Sequence, residues 1–483
     1  MNKAIRSSTM IALLMVLVLL INLTVVQGFR KETYAQNPLN KRQFYEMKST
    51  PRGQISAGGV VLAKSSKGAD DFYYRSYPST NPQAYAPVSG YLSDLYGAAG
   101  LEQGFNEVLN GTDPSMLVSN TWDTLTGKEH DGASLKLTLL PEAQEVAYQQ
   151  LVNNNYEGAV VALKPSTGEV LAMAQTPSFD PNTVVDNDSA EQAWGRLTSD
   201  PASPLLNHAT QETLPPGSIF KIITSTAGLR NGYEPGSQLT GEAKITLPNS
   251  TSTLENYGGR PCAGGGEVSL TTAFSLSCNT AFVQMGVDVG EDALYDAAKS
   301  FGIGDTYDLG LPETPSSVGD LSDPARRGVS SIGQADVSMT VLDAAVMAAT
   351  VANNGKRMKP YVVDEVLRPD LSTLSSHKPQ QAKDGLDEDV AVKLQELMRQ
   401  SERNTSGGRG DIASKTGTAE HGEDSRSSFP HTWYVAFAPD KDADVAVAVV
   451  VKNGGNQGAG ATGGSVSAPI GRAVIDAVLR TQA

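Results

Sequence analysis

The sequence predicts a mixed α/β fold of the α+β kind, built on an antiparallel sheet whose strands come from opposite ends of the chain. Residues 158–163 (GAVVAL) and 170–174 (VLAMA), separated by Pro165-Ser166-Thr167-Gly168, read as one hairpin. Residues 433–438 and 445–451 are two further apolar runs joined by Pro439-Asp440-Lys441-Asp442, a second hairpin. Between them, residues 218–230, 271–286, 291–300 and 340–353 carry apolar side chains at helical spacing. Strands at both ends around a helical block require the ends to meet in one sheet. Helices are also expected over 141–152 and 468–479. The first follows the strand-like 135–139 and is expected to close a smaller, β-rich N-terminal unit of strands and loops.

The chain has 483 residues, enough for about three domain-sized units, and 39% of them are apolar, too many for a disordered chain. A net charge of −15 argues against a nucleic-acid duplex or an anionic bilayer surface as electrostatic partner. The five histidines (His130, His208, His377, His421, His431) are scattered, and no Cys/His pair stands at zinc spacing, so no metal is expected. Residues 7–29 carry no charge, and 10–26 is almost continuously aliphatic. This predicts one membrane span. Thr33-Tyr34-Ala35 offers a cleavage site for the alternative reading, a signal peptide, but the apolar run exceeds a usual signal core and Arg30-Lys31-Glu32 follows at once. The expected plan is a cytoplasmic tail over 1–9, an anchor over 10–29, an N-terminal pedestal over 30–155 and a main domain over 156–483. A short leader before a long domain places the bulk outside the cytoplasm.

Three motif matches carry little. Gly458-x-Gly-x-x-Gly463 lacks the second parallel strand and ribose-binding acid of a dinucleotide site. Arg409-Gly410-Asp411 sits in a Ser/Gly-rich loop, and Ser375-Ser376-His377-Lys378 lies between Pro369 and Pro379, which reads as surface loop. Ser218-Ile219-Phe220-Lys221 differs because it follows Pro215-Pro216-Gly217 and opens an apolar helical run. Serine suits a helix start, and a lysine three positions on projects from the same face within reach of the hydroxyl. Such a pair can act as nucleophile and base if the lysine is held neutral. Ser277-Cys278-Asn279 puts a hydroxyl and an amide on one turn at a helix junction. Lys415-Thr416-Gly417-Thr418 offers a cation and hydroxyls for a carboxylate where an edge strand is expected, and Gly417 lets a ligand lie against it. Cys262 and Cys278, the two cysteines of the chain, are expected to pair in an oxidising exterior, the alternative being two separate buried thiols.

The order S-x-x-K, S-x-N, K-T-G resembles the serine penicillin-binding proteins and related β-lactamases. Pro51-Arg52-Gly53-Gln54-Ile55 is similar to the opening of the class B pedestal, residues 158–182 to the hairpin that opens the transpeptidase domain, and Asn207-His208-Ala209-Thr210-Gln211 also fits. The likeness is to the short class B proteins of actinobacteria, the penicillin-binding protein A type. Ala335, in Gly333-Gln334-Ala335-Asp336, departs from a position where the family usually has glycine, which bears on local backbone geometry.

The resemblance implies a penicillin-binding transpeptidase fold with a five-stranded antiparallel sheet flanked by helices, and peptidoglycan D,D-transpeptidation without a cofactor, inhibited by β-lactams. Ser218 would be acylated by a stem peptide ending in D-Ala-D-Ala, with Lys221 as base, Ser277 as proton relay and Asn279 as donor to the substrate backbone. Lys415, Thr416, Gly417 and Thr418 would hold the terminal carboxylate, and backbone N–H groups of Ser218 and Thr418 the oxyanion. It also implies a single-pass plasma-membrane protein acting beside a SEDS-family glycan polymerase in cell-wall synthesis and division. A D,D-carboxypeptidase of the same fold remains open, as does, from another class, a non-catalytic β-lactam sensor or division scaffold. The scaffold has no need of all three motifs, and the sensor would be expected to carry more spans. About 125 residues between the anchor and the first hairpin are too few for a glycosyltransferase domain, and a secreted β-lactamase would not ordinarily carry an anchor and pedestal.

Overall fold

A computed structural model describes residues 2–26, 48–116, 131–420 and 428–482. Asn2–Thr24 is one helix. Its stretch Ile5–Thr24 is 20 residues long and long and apolar enough to cross a membrane, spanning about 30 Å at 1.5 Å per residue. Thr9 and Thr24 return their hydroxyls to the carbonyls of Ile5 and Leu20, both at 2.9 Å, so neither leaves a polar group unpaired in the apolar stretch. The last three residues of the expected anchor, its charged flank and the alternative cleavage site lie outside the described residues, as do His130 and His421.

The main sheet has five antiparallel strands in the order Ala413–Ala419, His431–Ala438, Val445–Val451, Gly158–Leu163, Val170–Thr176. The pairing of Val445–Val451 with Gly158–Leu163, with Val449 opposite Val160, joins the two ends of the chain. All residues of the four strands after the edge strand are buried, which is why they read as continuous apolar runs rather than alternating ones. One face carries the helices Pro141–Asn153 and Ala468–Gln482, where Ala143, Ala147 and Leu151 share a core with Val474, Ile475 and Val478. The other face carries Val341–Ala352 and the helical block.

Several expectations need correction. Helix Pro141–Asn153 does not close the pedestal but packs on the main sheet, because its 143/147/151 stripe matches the C-terminal helix. The stretch 271–286 is two helices, Leu270–Ser275 and Asn279–Val289. Ser277 between them has φ 61°, outside helical space. Ser375 and Ser376 are not loop but the end of an edge strand, Thr373–Ser376, whose exposed side chains leave no apolar alternation to read. That strand belongs to a six-stranded sheet in the order Thr373–Ser376, Val363–Leu367, Ser134–Leu137, Ile55–Ala57, Val60–Lys67, Tyr73–Ser76. The pedestal sheet therefore borrows two strands from the chain beyond residue 360. A helix over Pro82–Ser89, with proline in its first turn, also stands where strands and loops were expected.

At the base of this sheet a carboxylate sits fully buried between two guanidiniums. Glu102 accepts from Arg52 Nε at 2.7 Å and from Arg75 Nε at 2.5 Å, with the Tyr77 hydroxyl at 3.2 Å. Burial alone would raise the Glu102 carboxyl, but Arg75 and Arg52 outweigh it and hold it below the ordinary value. Replacing Glu102 with alanine strands two cations in the interior and should cost about 3–5 kcal/mol of stability. Chemical denaturation of the purified variant checks this, and a loss below about 1 kcal/mol would contradict it.

Candidate active site

The Ser218 turn is built by backbone contacts from two directions. Gly217–Phe220 is a tight 3₁₀ turn that runs into the helix Lys221–Arg230. Gly217 has φ 54°, its N–H donates to the Gly333 carbonyl at 3.0 Å, and a Cβ there would press on Thr418 O and Ala419 Cβ at 3.0 Å. Only glycine lets the turn lie this close to the edge strand Ala413–Ala419. On the strand, Gly417 answers in kind: a Cβ would stand 2.8 Å from the Pro216 carbonyl. Trp433 Nε1 donates to Pro215 O at 2.9 Å, fixing the same turn from the neighbouring strand. The loop behind it holds Ala335 at φ 59°, left-handed backbone that glycine adopts at lower cost.

Lys221 is fully buried at the start of its helix. Its Nζ lies 2.8 Å from Ser277 O, 2.7 Å from Asn279 Oδ1 and 3.2 Å from Ser277 Oγ. Two of these partners only accept, and the third can donate, which matches the two donors and one lone pair of a neutral amine. Burial, reinforced by the charge of Lys415, pushes the Lys221 ammonium well below the ordinary lysine value. Lys415 reaches Ser277 Oγ at 2.9 Å and Thr416 O at 3.1 Å, and burial pushes its pKa down to about 7. The Ser277 hydroxyl thus stands between two amines. The rings of Phe282 and Phe274 lie 5.4 Å from Lys221 Nζ and 5.7 Å from Lys415 Nζ, respectively, and wall both from water.

The Ser218 hydroxyl is partly exposed and makes no hydrogen bond among the described residues. Thr416 and Thr418 are half-buried on the edge strand, whose far long side pairs with no strand among the described residues. Asn279 Nδ2 donates one proton to Glu255 O at 3.1 Å, leaving the other available. Cys262 and Cys278 meet as a disulfide, their Cα atoms 5.8 Å apart, tying the Gly-rich segment 258–266 to the residue between Ser277 and Asn279. The expected site residues therefore lie along one cleft between the edge strand and the helical block. Ser375 lies on the pedestal sheet, and Arg409 is committed to Asp411 and Asp476, each at 2.6 Å.

Sequence reading missed the residues that hold this site without facing it: Trp433, Gly333, the two phenylalanines and, above all, Glu402. Glu402 falls in the Ser/Gly-rich stretch 401–410, which reads as an exposed loop, yet residues 401–404 end the helix Glu388–Asn404 and the Glu402 side chain is fully buried.

Comparison with known proteins places this architecture. Residues 158–476 match the model of the penicillin binding protein transpeptidase domain, and residues 52–135 that of the penicillin binding protein A dimerisation domain. The chain is 45% identical over 492 residues to peptidoglycan D,D-transpeptidase PbpA of Mycolicibacterium smegmatis, covering 99% of both. It is 43% identical to PbpA of Mycobacterium tuberculosis, again over 99% of both. The structure of penicillin-binding protein A from M. tuberculosis as a penicillin G acyl-enzyme complex superimposes with a TM-score of 0.85 at 46% identity, covering 89% of this chain and 100% of that one. The corresponding ceftriaxone acyl-enzyme gives 0.86 at 45% identity, over 90% and 99%. With its three motifs gathered in one cleft and a family model spanning most of its length, the chain belongs to the class B penicillin-binding protein transpeptidases.

Proposed function

We propose that the chain is a membrane-anchored peptidoglycan D,D-transpeptidase in which Ser218 carries the acyl group and which β-lactams inactivate by acylating the same hydroxyl. The observation that carries this reading is the pair of buried lysines sharing the Ser277 hydroxyl, one turn of helix from Ser218. In acylation the free Ser218 Oγ swings to the neutral Lys221 amine, gives up its proton there and attacks the penultimate D-Ala carbonyl. The N–H groups of Ser218 and Thr418 receive the oxyanion. As the C–N bond breaks, the Lys221 proton passes through Ser277 Oγ to the departing D-Ala amine. An amine of a neighbouring stem peptide then attacks the ester, reversing the proton path and releasing Ser218.

Lys415 and the hydroxyls of Thr416 and Thr418 take the terminal carboxylate, and Asn279 takes a backbone carbonyl of the stem. The same carboxylate is present on penicillins. The N-terminal helix sets the body outside the cytoplasmic membrane, and the pedestal with that helix is the contact surface for a SEDS-family glycan polymerase. Cross-linked product formed from lipid-linked precursor in the presence of that polymerase is the decisive readout, because release of D-Ala without cross-links would identify a carboxypeptidase.

Three outcomes test the residue roles. Intact mass of the full chain in detergent should rise by one ligand mass after exposure to penicillin G, and Ser218→Ala should abolish the adduct while keeping the fold. An adduct that persists in that variant would sink the assignment.

Lys415→Ala removes a charge-assisted contact of roughly 1.5–3 kcal/mol, so acylation should slow at least about tenfold. The charge of Lys415 also sets the alkaline limit. Its lowered pKa means the free protein loses this cation as pH rises, so the second-order acylation rate should fall on an alkaline limb well below the 10.5 of an ordinary lysine. The acidic limb reports protonation of Lys221. Lys415→Ala should erase the alkaline limb, and a limb unchanged in that variant would assign it elsewhere.

Reduction of Cys262–Cys278 should release the segment beside Ser277 and Asn279 and lower both the melting temperature and the acylation rate. In the chain-entropy model a loop of this size contributes on the order of 3 kcal/mol. Two freely alkylatable thiols in protein from an oxidising compartment would refute the bridge.

A further inference from the structure

We infer that Glu402 is a positioning residue for the ligand strand, acting through Ser414 on the face of the strand opposite Lys415. The inference rests on the reading of Lys415, Thr416 and Thr418 as the carboxylate site and adds the group that sets their place. Glu402 lies near the end of the helix Glu388–Asn404 and has no exposed surface. Oε1 accepts from Arg472 Nε at 2.9 Å and from the Arg409 N–H at 3.2 Å, with Arg472 Nη2 in ion-pair contact at 2.8 Å but making no hydrogen bond. Oε2 accepts from the Tyr434 hydroxyl at 3.0 Å and from the Ser414 hydroxyl. One carboxylate therefore joins the helix Glu388–Asn404, the C-terminal helix through Arg472, and both strands of the pair that carries the ligand site.

The placement of those two strand contacts is what matters. Ser414 immediately precedes Lys415, and Tyr434 stands opposite Thr416 in the strand register. Successive side chains on a strand point to opposite faces, so fixing the Ser414 hydroxyl on the helix face directs Lys415 to the other face, toward Ser277. Among the described residues, the strand Ala413–Ala419 is an edge that pairs with a strand along one side only. Its tilt is set by that single partner and by whatever grips its faces, and a ligand laid along the open side senses the tilt directly. A displacement of about 1 Å in such a group is enough to cost about a hundredfold in rate. Both oxygens of Glu402 are saturated, so the buried charge is compensated where it sits and has no further partner to recruit.

The test uses the full chain in detergent and the second-order rate of acylation by penicillin G. Ser414→Ala leaves Arg472 and Tyr434 on the carboxylate and removes only the link to the ligand strand. It should slow acylation about tenfold, and Ser414→Thr, which keeps the hydroxyl, should restore the rate to within about threefold. Glu402→Gln should lose at least as much, and if it does not fold the Ser414 pair decides the matter. A purely structural contact would lower the melting temperature without coupling to Lys415. A positioning contact should couple: the loss in Ser414→Ala with Lys415→Ala should fall well short of the product of the two single losses. Parental acylation in Ser414→Ala, or losses that multiply in full, would overturn the inference. If instead Lys415→Ala itself acylates at the parental rate, the carboxylate-site reading fails, and the two failures are told apart.

Discussion

Two lysines buried within reach of one hydroxyl set the terms for everything around them. Among the described residues neither Lys221 nor Lys415 has a carboxylate partner, and Ser277 Oγ stands 3.2 Å from one and 2.9 Å from the other. Two ammonium groups in that space would repel through a medium of low dielectric, so one proton must leave. The structure decides which. Lys221 is pushed down by burial and by the charge of Lys415, whereas burial alone acts on Lys415, so the amine nearer the helix start is the one more readily left neutral, as its proposed role of base requires. In the proposed mechanism a base at neutral pH is thus obtained without histidine, from residues whose ordinary pKa lies far above it. The requirement is rigidity, because either lysine given room would turn toward water and recover its proton.

That rigidity comes from the sheet. The edge strand bearing Lys415 is the outermost of five, and the strands beneath it close the two ends of the chain against each other, Val445–Val451 on Gly158–Leu163. The helix bearing Lys221 is buried through most of its length on the opposite side of the cleft. Gly217 and Gly417 let these two walls approach until backbone touches side chain. The site is therefore a seam between two layers that share one hydrophobic core, and each wall carries one lysine.

Much of this was legible before any coordinates. The two hairpins, the C-terminal helix and the three motifs could be read because each has a local signature: continuous apolar runs for fully buried strands, and chemistry-bearing residues next to glycine and proline. What escaped depends on contacts far apart in the chain. Residues 363–376 could not be recognised as pedestal strands, since their side chains are half-buried or exposed and their partner, Ser134–Leu137, lies more than 200 positions earlier. Helix Pro141–Asn153 was assigned to the wrong neighbour because an apolar stripe states that a face is buried, not against what. Glu402 was invisible because a glutamate in a Ser/Gly-rich stretch reads as exposed loop, and its burial depends on Arg472 and Tyr434 from far along the chain. The break at Ser277 was hidden for a different reason, since a non-glycine residue at positive φ leaves no mark in composition.

The borrowed strands bear on how the pedestal and the catalytic body move together. Val363–Leu367 pairs with Ser134–Leu137, which in turn pairs with Ile55–Ala57, so the pedestal sheet is completed by chain that has already passed through the helical block. Where the two sheets approach, Thr138 N–H donates to Val362 O at 2.9 Å and its hydroxyl to Val170 O at 2.7 Å, while Val170 N–H donates to Tyr361 O at 2.9 Å. Val170 begins the last strand of the main sheet. Asn207, eleven residues ahead of Ser218, donates from Nδ2 to Pro87 O at 2.9 Å in the pedestal helix. A hinge needs a segment crossed by few contacts, and here the chain crosses three times with paired backbone at each. The two sheets are therefore tied by hydrogen bonds on both sides of Val170 and at the approach to Ser218, so a displacement of one is carried into the other as strain rather than absorbed between them.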